Sequence, residues 1–178
     1  MNIFVLDQDF VLCAQYHNDK HVVKMILESC QLLSTAHRML DGNEYKGTTQ
    51  SGRTVRRWAL PDARDQQLYH ATHINHPCAV WCRSSSQNYQ WLCSLTAALC
   101  HEYTYRYNKV HKCQSSGLLE ALLLTPHRIP NVGITPFAQA MPVDCKRLDA
   151  VDAYRTYYRQ KKQHLASWKK RIIPQWYQ

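Results

Sequence analysis

Between residues 17 and 31 the sequence sets charged and imidazole side chains at helical intervals within a largely apolar stretch. These polar positions are His17, His21, Lys24, Glu28 and Gln31. At about 3.6 residues per turn they fall on one side of a helix. Because burying charge is costly, we expect this narrow polar stripe to line a cleft. A carboxylate beside an imidazole and an ammonium could carry acid–base chemistry, so the stripe is the candidate active site.

Two other interpretations of these residues stay open. Lys24 and Glu28 are also spaced as an ordinary ion pair, worth about 0.3 to 0.5 kcal/mol on an exposed helix. Histidine and cysteine pairs with metal-ligand spacing occur as well, but no Cys-x-x-Cys or His-Glu-x-x-His motif accompanies them, so we expect no metal and no cofactor. The pairs are His17/His21, His73/His76 and Cys78/Cys82.

The overall charge favours a polyanionic partner. The chain of 178 residues has a formal net charge of +9, with 22 Lys and Arg against 13 Asp and Glu. Three segments interleave basic and aromatic residues, at 53–58, 103–109 and 154–162. Basic residues can bind phosphates while aromatic rings stack on bases, although amphipathic helices with buried tyrosines would show the same pattern.

The elements that would position these residues are mainly helical. We predict a mainly α fold, a single compact irregular helical domain over 1–178 with long loops and a short extended N-terminus at 1–6. Apolar periodicity predicts an early helix over about 19–40, a long helix over about 78–108 and a late helix over about 148–169. Shorter helices are predicted near 63–72 and 118–124. Asp7 or Asp9 could cap a further brief helix that contains Tyr16. The segment 42–65 is predicted as a long loop.

The cellular setting follows from what the sequence lacks. No apolar run approaches the length of a membrane span, and no secretion signal follows the first residues, so we expect a cytoplasmic protein without a membrane partner. Its eight cysteines are therefore expected to be free, buried thiols.

Three segments together resemble the pyrimidine-dimer DNA glycosylase family, the phage-type UV endonucleases. They are the helix at 19–33, the Asn75-His76-Pro77 stretch with the following Cys-Ala-Val-Trp, and the Tyr-Arg-rich segment at 153–161. The resemblance implies a compact helical domain that grips DNA, with its N-terminus beside the early helix. It also implies base excision by an N-terminal α-amine that forms a Schiff base with the sugar, assisted by a carboxylate.

The resemblance assigns roles on the early helix. Lys20 and Lys24 match two basic positions and would neutralise phosphates on either side of the lesion. His21 falls where the best-known members have their catalytic Glu. Glu28, one turn beyond Lys24, is the nearest carboxylate that could substitute for it.

The resemblance also assigns the nucleophile. Asn2 is too large for efficient removal of the initiator methionine, so the available amine is that of Met1. The expected catalytic residues are Met1, His21 and Glu28.

Further contacts with DNA are expected along the chain. Basic side chains that could hold phosphates are Arg56, Arg57, His76, Arg155 and Arg159. Rings that could stack on an extruded base or fill its gap are Trp58, Trp81 and Tyr154. His76 before Pro77 could instead be a helix cap, and Arg155 could be a solvated charge.

The expected function is that of a monomeric DNA-repair enzyme that flips out and excises a damaged or modified base. Such an enzyme is an N-glycosylase and a hydrolase, with AP-lyase activity where a Schiff base forms. Two alternatives stay open: a base- or nucleotide-modifying enzyme on the same scaffold, and a non-catalytic nucleic-acid-binding protein. The residues do not decide between DNA and RNA.

Overall fold

The computed structural model describes residues 1–178 and contains eight α-helices and one antiparallel hairpin. In chain order the elements are α1 (Phe10–Tyr16), α2 (Asp19–Asp41), β1 (Asn43–Thr48), β2 (Thr54–Ala59), α3 (Arg64–Gln67), α4 (Pro77–Ser84), α5 (Ser86–Tyr107), α6 (Lys112–Ser115), α7 (Leu118–Leu122) and α8 (Ala150–Lys161). Helix makes up 53% of the chain and strand 7%, so the predicted mainly α fold is confirmed. None of the helices is long and apolar enough to span a membrane.

Helix α2 lies at the centre of the fold and matches the predicted early helix. The Asn18 side chain caps its first turn by accepting a hydrogen bond from the His21 amide, and Gly42 follows its last residue. Its apolar side packs against α4, α5 and α7, where Ile26 and Leu33 are fully buried. The helix extends one residue beyond the predicted C-terminal end.

The predicted long helix over 78–108 is wrong in one respect, because it consists of two helices. The chain breaks at Ser85, whose extended backbone lies between α4 and α5. Its hydroxyl accepts hydrogen bonds from the amides of Gln87 and Asn88, which caps α5. The same hydroxyl lies 2.7 Å from the carbonyl oxygens of Val132 and Gly133, so the break also anchors the irregular segment after α7.

The predicted loop over 42–65 is wrong, because most of it forms the β1–β2 hairpin. Asn43 pairs with Ala59 and Thr48 pairs with Thr54 in one continuous antiparallel register. Most of its side chains are exposed, so the sequence has no apolar alternation that would signal a strand. Only Trp58, near the base of the hairpin, is buried against the helices.

Three shorter predictions overestimate their helices. The predicted helix at 63–72 is only α3, because Arg38 takes the carbonyl groups of Asp65, Leu68 and Tyr69 as hydrogen-bond acceptors. The late helix ends at Lys161 instead of near 169, and the tail after it folds back in 3₁₀ turns. Helix α7 ends two residues earlier than predicted.

The N-terminal segment and the cysteines complete the core. Ile3 to Leu6 are all buried, and Asp9 caps α1 as one of the two predicted caps. The predicted extended path is interrupted at Phe4, whose φ of 54° is unfavourable for a residue with a side chain by about 1 to 2 kcal/mol. All eight cysteines are free and buried, as predicted.

Candidate active site

The amino terminus lies against the middle of α2. The Met1 nitrogen is 4.0 Å from Oε2 of Glu28, and the Asn2 amide donates a 3.0 Å hydrogen bond to the same oxygen. The other oxygen, Oε1, is 3.1 Å from Nζ of Lys24. The Glu28 side chain is only 12% exposed, whereas that of Lys24 is 66% exposed. An α-amine, a nearly buried carboxylate and a solvent-facing ammonium therefore meet at one point on α2.

The side chain of Asn2 holds the amino terminus in this place. Its Nδ2 donates a 2.7 Å hydrogen bond to the carbonyl oxygen of Ala140. Its Oδ1 accepts hydrogen bonds from the Tyr154 hydroxyl at 2.8 Å and from the Cys78 thiol at 3.7 Å. Asn2, Cys78 and Tyr154 are all buried. Three segments that are distant in sequence thus fix the first two residues. From the sequence alone, only the size of Asn2 was informative.

His21 does not join this group. Its ring is buried, stacks on Phe4 at 4.2 Å between ring centroids, and hydrogen bonds through Nδ1 to the Tyr158 hydroxyl. Burial, together with the nearby charges of His17 and Lys162, lowers the pKa of His21 to about 3. Burial and a lowered pKa do not favour proton exchange by His21 near neutral pH, and its catalytic role stays a prediction. The carboxylate beside the amine is Glu28.

The exposed face of α2 differs from the predicted polar stripe. His17 precedes the helix and is fully buried, with its Nδ1 2.7 Å from the carbonyl oxygen of Cys13. Burial lowers the pKa of His17 to about 4. The solvent-facing side chains are instead Lys20, Val23, Lys24 and Leu27, with Gln31 half-buried. Both lysines that the resemblance assigned to phosphates therefore face solvent, and Lys24 does so beside Glu28.

His76 lies close to the amine–carboxylate pair. It precedes Pro77 and is the N-terminal cap of α4, where its Nδ1 accepts a 3.2 Å hydrogen bond from the Cys78 amide. Burial lowers the pKa of His76, the positive charge of the amino terminus lowers it further, and the Glu28 carboxylate raises it. The predicted cap is confirmed, and the half-buried ring is within electrostatic reach of both groups.

The arginines expected to hold phosphates lie away from this point. Arg155 is held inside the molecule, with its Nε donating to the Leu6 carbonyl oxygen and its Nη2 to Asp7. Its guanidinium also lies over the rings of Tyr16 and Trp176. The exposed Arg159 donates to the Trp176 carbonyl oxygen, and Arg56 and Arg57 belong to β2. The alternative that Arg155 is a simple solvated charge is wrong, since its contacts tie the N-terminal segment to the C-terminal tail, and the phosphate-binding roles of the arginines stay predictions.

The three rings expected to stack on a base are buried. The exposed fraction is 6% for Trp58, 5% for Trp81 and 0% for Tyr154. Trp81 packs against Trp91 and Phe137. The three rings are thus part of the packed interior, which does not favour the expected stacking, and their role toward a base stays a prediction.

The pairs with metal-ligand spacing do not assemble into a metal site. No group of three or more His, Cys, Asp or Glu side chains is arranged to hold an ion. What the site offers is therefore covalent and electrostatic chemistry: a primary amine that can act as a nucleophile, and a carboxylate that can stabilise a developing positive charge.

Comparison with known proteins agrees with this geometry. The family described as pyrimidine dimer DNA glycosylase matches the chain over residues 1–115. The matched region includes the amino terminus, α2 and His76, whereas α8 and the tail lie beyond it. The searches of curated proteins and of solved structures gave no match.

Proposed function

Because the chain belongs to the pyrimidine dimer DNA glycosylase family, we propose that it excises a damaged base from DNA with its N-terminal α-amine as nucleophile. The observation that carries this proposal is the approach of the Met1 nitrogen to within 4.0 Å of Glu28. Ordering an amino terminus against a central helix costs conformational entropy, and chain termini are usually poorly ordered. The fixed position of this terminus therefore favours a functional role for it.

The choice of the α-amine over a lysine has a chemical reason. A free α-amine releases its proton more readily than a lysine ammonium, so more of it is an uncharged nucleophile near neutral pH. Lys24 is exposed beside Glu28 and remains suited to bind a phosphate. The α-amine would then form the covalent bond to the sugar, and Lys24 would bind a phosphate.

The proposed reaction balances as follows. The amine lone pair forms a bond to C1′ of the sugar while the bond from C1′ to the base nitrogen breaks, and the base leaves with that electron pair and takes up a proton. The nitrogen then loses a proton, and its lone pair forms a double bond to C1′ while the bond from C1′ to O4′ breaks and O4′ takes up a proton, which leaves a protonated Schiff base. Glu28 would stabilise the positive charge on the sugar and accept the amine proton. Elimination of the 3′ phosphate from this Schiff base would be the lyase step.

Binding of DNA is proposed along the exposed face of α2. Lys20 and Lys24 are one turn apart and face solvent on either side of Val23. Phosphate contacts from such residues position the duplex, while the damaged nucleotide must leave the stack to reach C1′ at the amine. The net charge of +9 favours the approach to a polyanion.

The proposal is tested by borohydride trapping on duplex DNA that carries a pyrimidine dimer or an abasic site. We expect the full chain to form a covalent adduct after reduction, and Glu28→Gln to reduce adduct formation by about 100-fold or more while DNA affinity stays within about threefold. Glu120→Gln, on α7, is the matched control and should trap normally.

Each other outcome contradicts the proposal and identifies one of the alternatives. Cleavage of the glycosidic bond of the dimer without an adduct would indicate a hydrolytic glycosylase. Base modification without release would indicate a modifying enzyme, and binding without any reaction would indicate a non-catalytic nucleic-acid-binding protein.

A further inference from the structure

The β1–β2 hairpin, residues 43–59, contributes little to the core and carries an excess of positive charge. Its four basic residues stand against one acid, Glu44. Only its base is fastened to the helices, through burial of Trp58 and a 2.7 Å hydrogen bond from Arg38 to the Trp58 carbonyl oxygen. A projecting basic element of this kind is not explained by packing, so its exposed surface needs another role.

Three of the four cations are unpaired. Arg56 forms a two-pronged ion pair with Glu44 and lies over the Trp58 ring. Lys46, Arg53 and Arg57 form no ion pair with any acidic side chain. These three positive charges therefore stand unneutralised along the hairpin.

Beside them lies an open groove with no apolar lining. Its wall consists of Thr48, Thr49, Gln50, Ser51, Arg57 and His70. Burial lowers the pKa of His70, and the charge of Arg57 lowers it further, which agrees with their closeness. Hydroxyl, amide and guanidinium groups are the donors that bind phosphate oxygens, whereas a protein partner would need apolar surface at its centre.

The groove lies on the side of α2 that carries the amine. From residue 68 to 76 the chain runs back along α2: Arg38 donates to the Tyr69 carbonyl oxygen, and Thr35 accepts from the Thr72 amide. This segment ends at His76, whose pKa is raised by the charge of Glu28. Ten residues of helix separate Glu28 from Arg38, which is about 15 Å at 1.5 Å per residue. That distance corresponds to about four to five base-pair steps of duplex.

We propose that Lys46, Arg53 and Arg57, with the groove beside them, bind the phosphate backbone of duplex DNA, with the base of the hairpin about half a helical turn from the excision site. The inference rests on the proposed function for its register, but the hairpin's affinity for DNA is independent of the chemistry at Glu28. Contact on one side of the lesion would fix the polarity in which the enzyme sits on its substrate.

The test measures the salt dependence of binding to undamaged duplex DNA. The hairpin variant Lys46→Ala/Arg53→Ala/Arg57→Ala is compared with Lys109→Ala/Lys112→Ala/Lys146→Ala, which removes the same charge from exposed lysines without acidic partners. Each phosphate contact makes the slope of log K against log salt more negative by about 0.9. The hairpin variant should therefore reduce the magnitude of the slope by about two to three, and the control variant should reduce it by less than one.

A second variant guards against misfolding, because the stem of Arg57 packs on Gly47. Lys46→Gln/Arg53→Gln changes two exposed residues only and should lower the slope by about one to two. Equal slopes for the hairpin variants and the control would overturn the inference.

Polarity is tested with two duplexes that carry the lesion near opposite ends. The hairpin variant should lose affinity about tenfold or more on the duplex that extends toward the hairpin, and little on the other. Equal losses on both would also overturn the inference. Failure of the proposed function is distinguishable, since it would abolish borohydride trapping with the wild-type chain and leave the salt slopes unchanged.

Discussion

At the scale of residues, the central arrangement is an amino terminus held at Glu28 by the side chain of Asn2. Glu28 was predictable, because its spacing from Lys24 marks one face of α2. Asn2 was not, since its partners Ala140 and Tyr154 lie about 140 to 150 positions away and no local pattern signals them. The burial of His21 against Phe4 and Tyr158 was not predictable, because spacing alone does not say which neighbours fill a core.

The anchoring role of Asn2 is tested by Tyr154→Phe. Loss of the hydroxyl removes its hydrogen bonding to Asn2 Oδ1 and to the Ala138 carbonyl oxygen, which should destabilise the fold by about 0.5 to 1.5 kcal/mol in urea unfolding. If Tyr154 also positions the amine, the single-turnover trapping rate should fall by about 10-fold to 100-fold with DNA affinity unchanged. Tyr105→Phe, which removes an exposed hydroxyl bonded to Lys170, is the control. A trapping rate equal to that of the control would limit Tyr154 to a structural role.

At the scale of elements, the sequence predicts strongly periodic segments and misses those set by distant contacts. Helix α2 was predicted within one residue, because Asn18 and Gly42 mark its ends and its apolar periodicity is long. The break at Ser85 depends on the segment at 132–133, which apolar periodicity does not reveal. The hairpin was missed because its exposed faces show no apolar alternation, although its Val, Thr, Tyr and Trp residues favour strands.

The break between α4 and α5 predicts a specific stability effect. Ser85→Ala removes the cap of α5 and the hydroxyl contact with Val132, so it should lower the free energy of unfolding by about 1 to 2 kcal/mol. Ser94→Ala, inside α5, should be neutral or stabilising since Ala favours helix. Urea unfolding of both variants checks this. If the chain used one continuous helix, Ser85→Ala would be as well tolerated as Ser94→Ala.

At the scale of the whole molecule, buried histidines tie stability to pH. Burial lowers the pKa of His17 to about 4, of His21 to about 3 and of His37 to about 4. An unfolded histidine titrates near pH 6.5, so below that pH the unfolded chain binds more protons than the native one. Stability should therefore be full above about pH 6.5 and fall as the pH drops toward about 4, by up to about 1.4 kcal/mol per pH unit for each histidine.

Urea unfolding across this pH range measures the effect. His17→Gln should reduce the slope of stability against pH by close to one proton, whereas Ser94→Ala, which removes no titratable group, should leave it unchanged. A slope that His17→Gln does not alter would mean that His17 is protonated in the native state.

The proposed mechanism depends on which nitrogen becomes attached to the sugar. After borohydride reduction on lesion-bearing DNA and proteolysis, mass spectrometry locates the adduct on one peptide. The proposed mechanism predicts attachment at the N-terminal α-amine, which lies 4.0 Å from Glu28. It also predicts loss of trapping when that amine is blocked by acetylation. Attachment at the side chain of Lys20 or Lys24, with trapping that survives acetylation of the terminus, would contradict it.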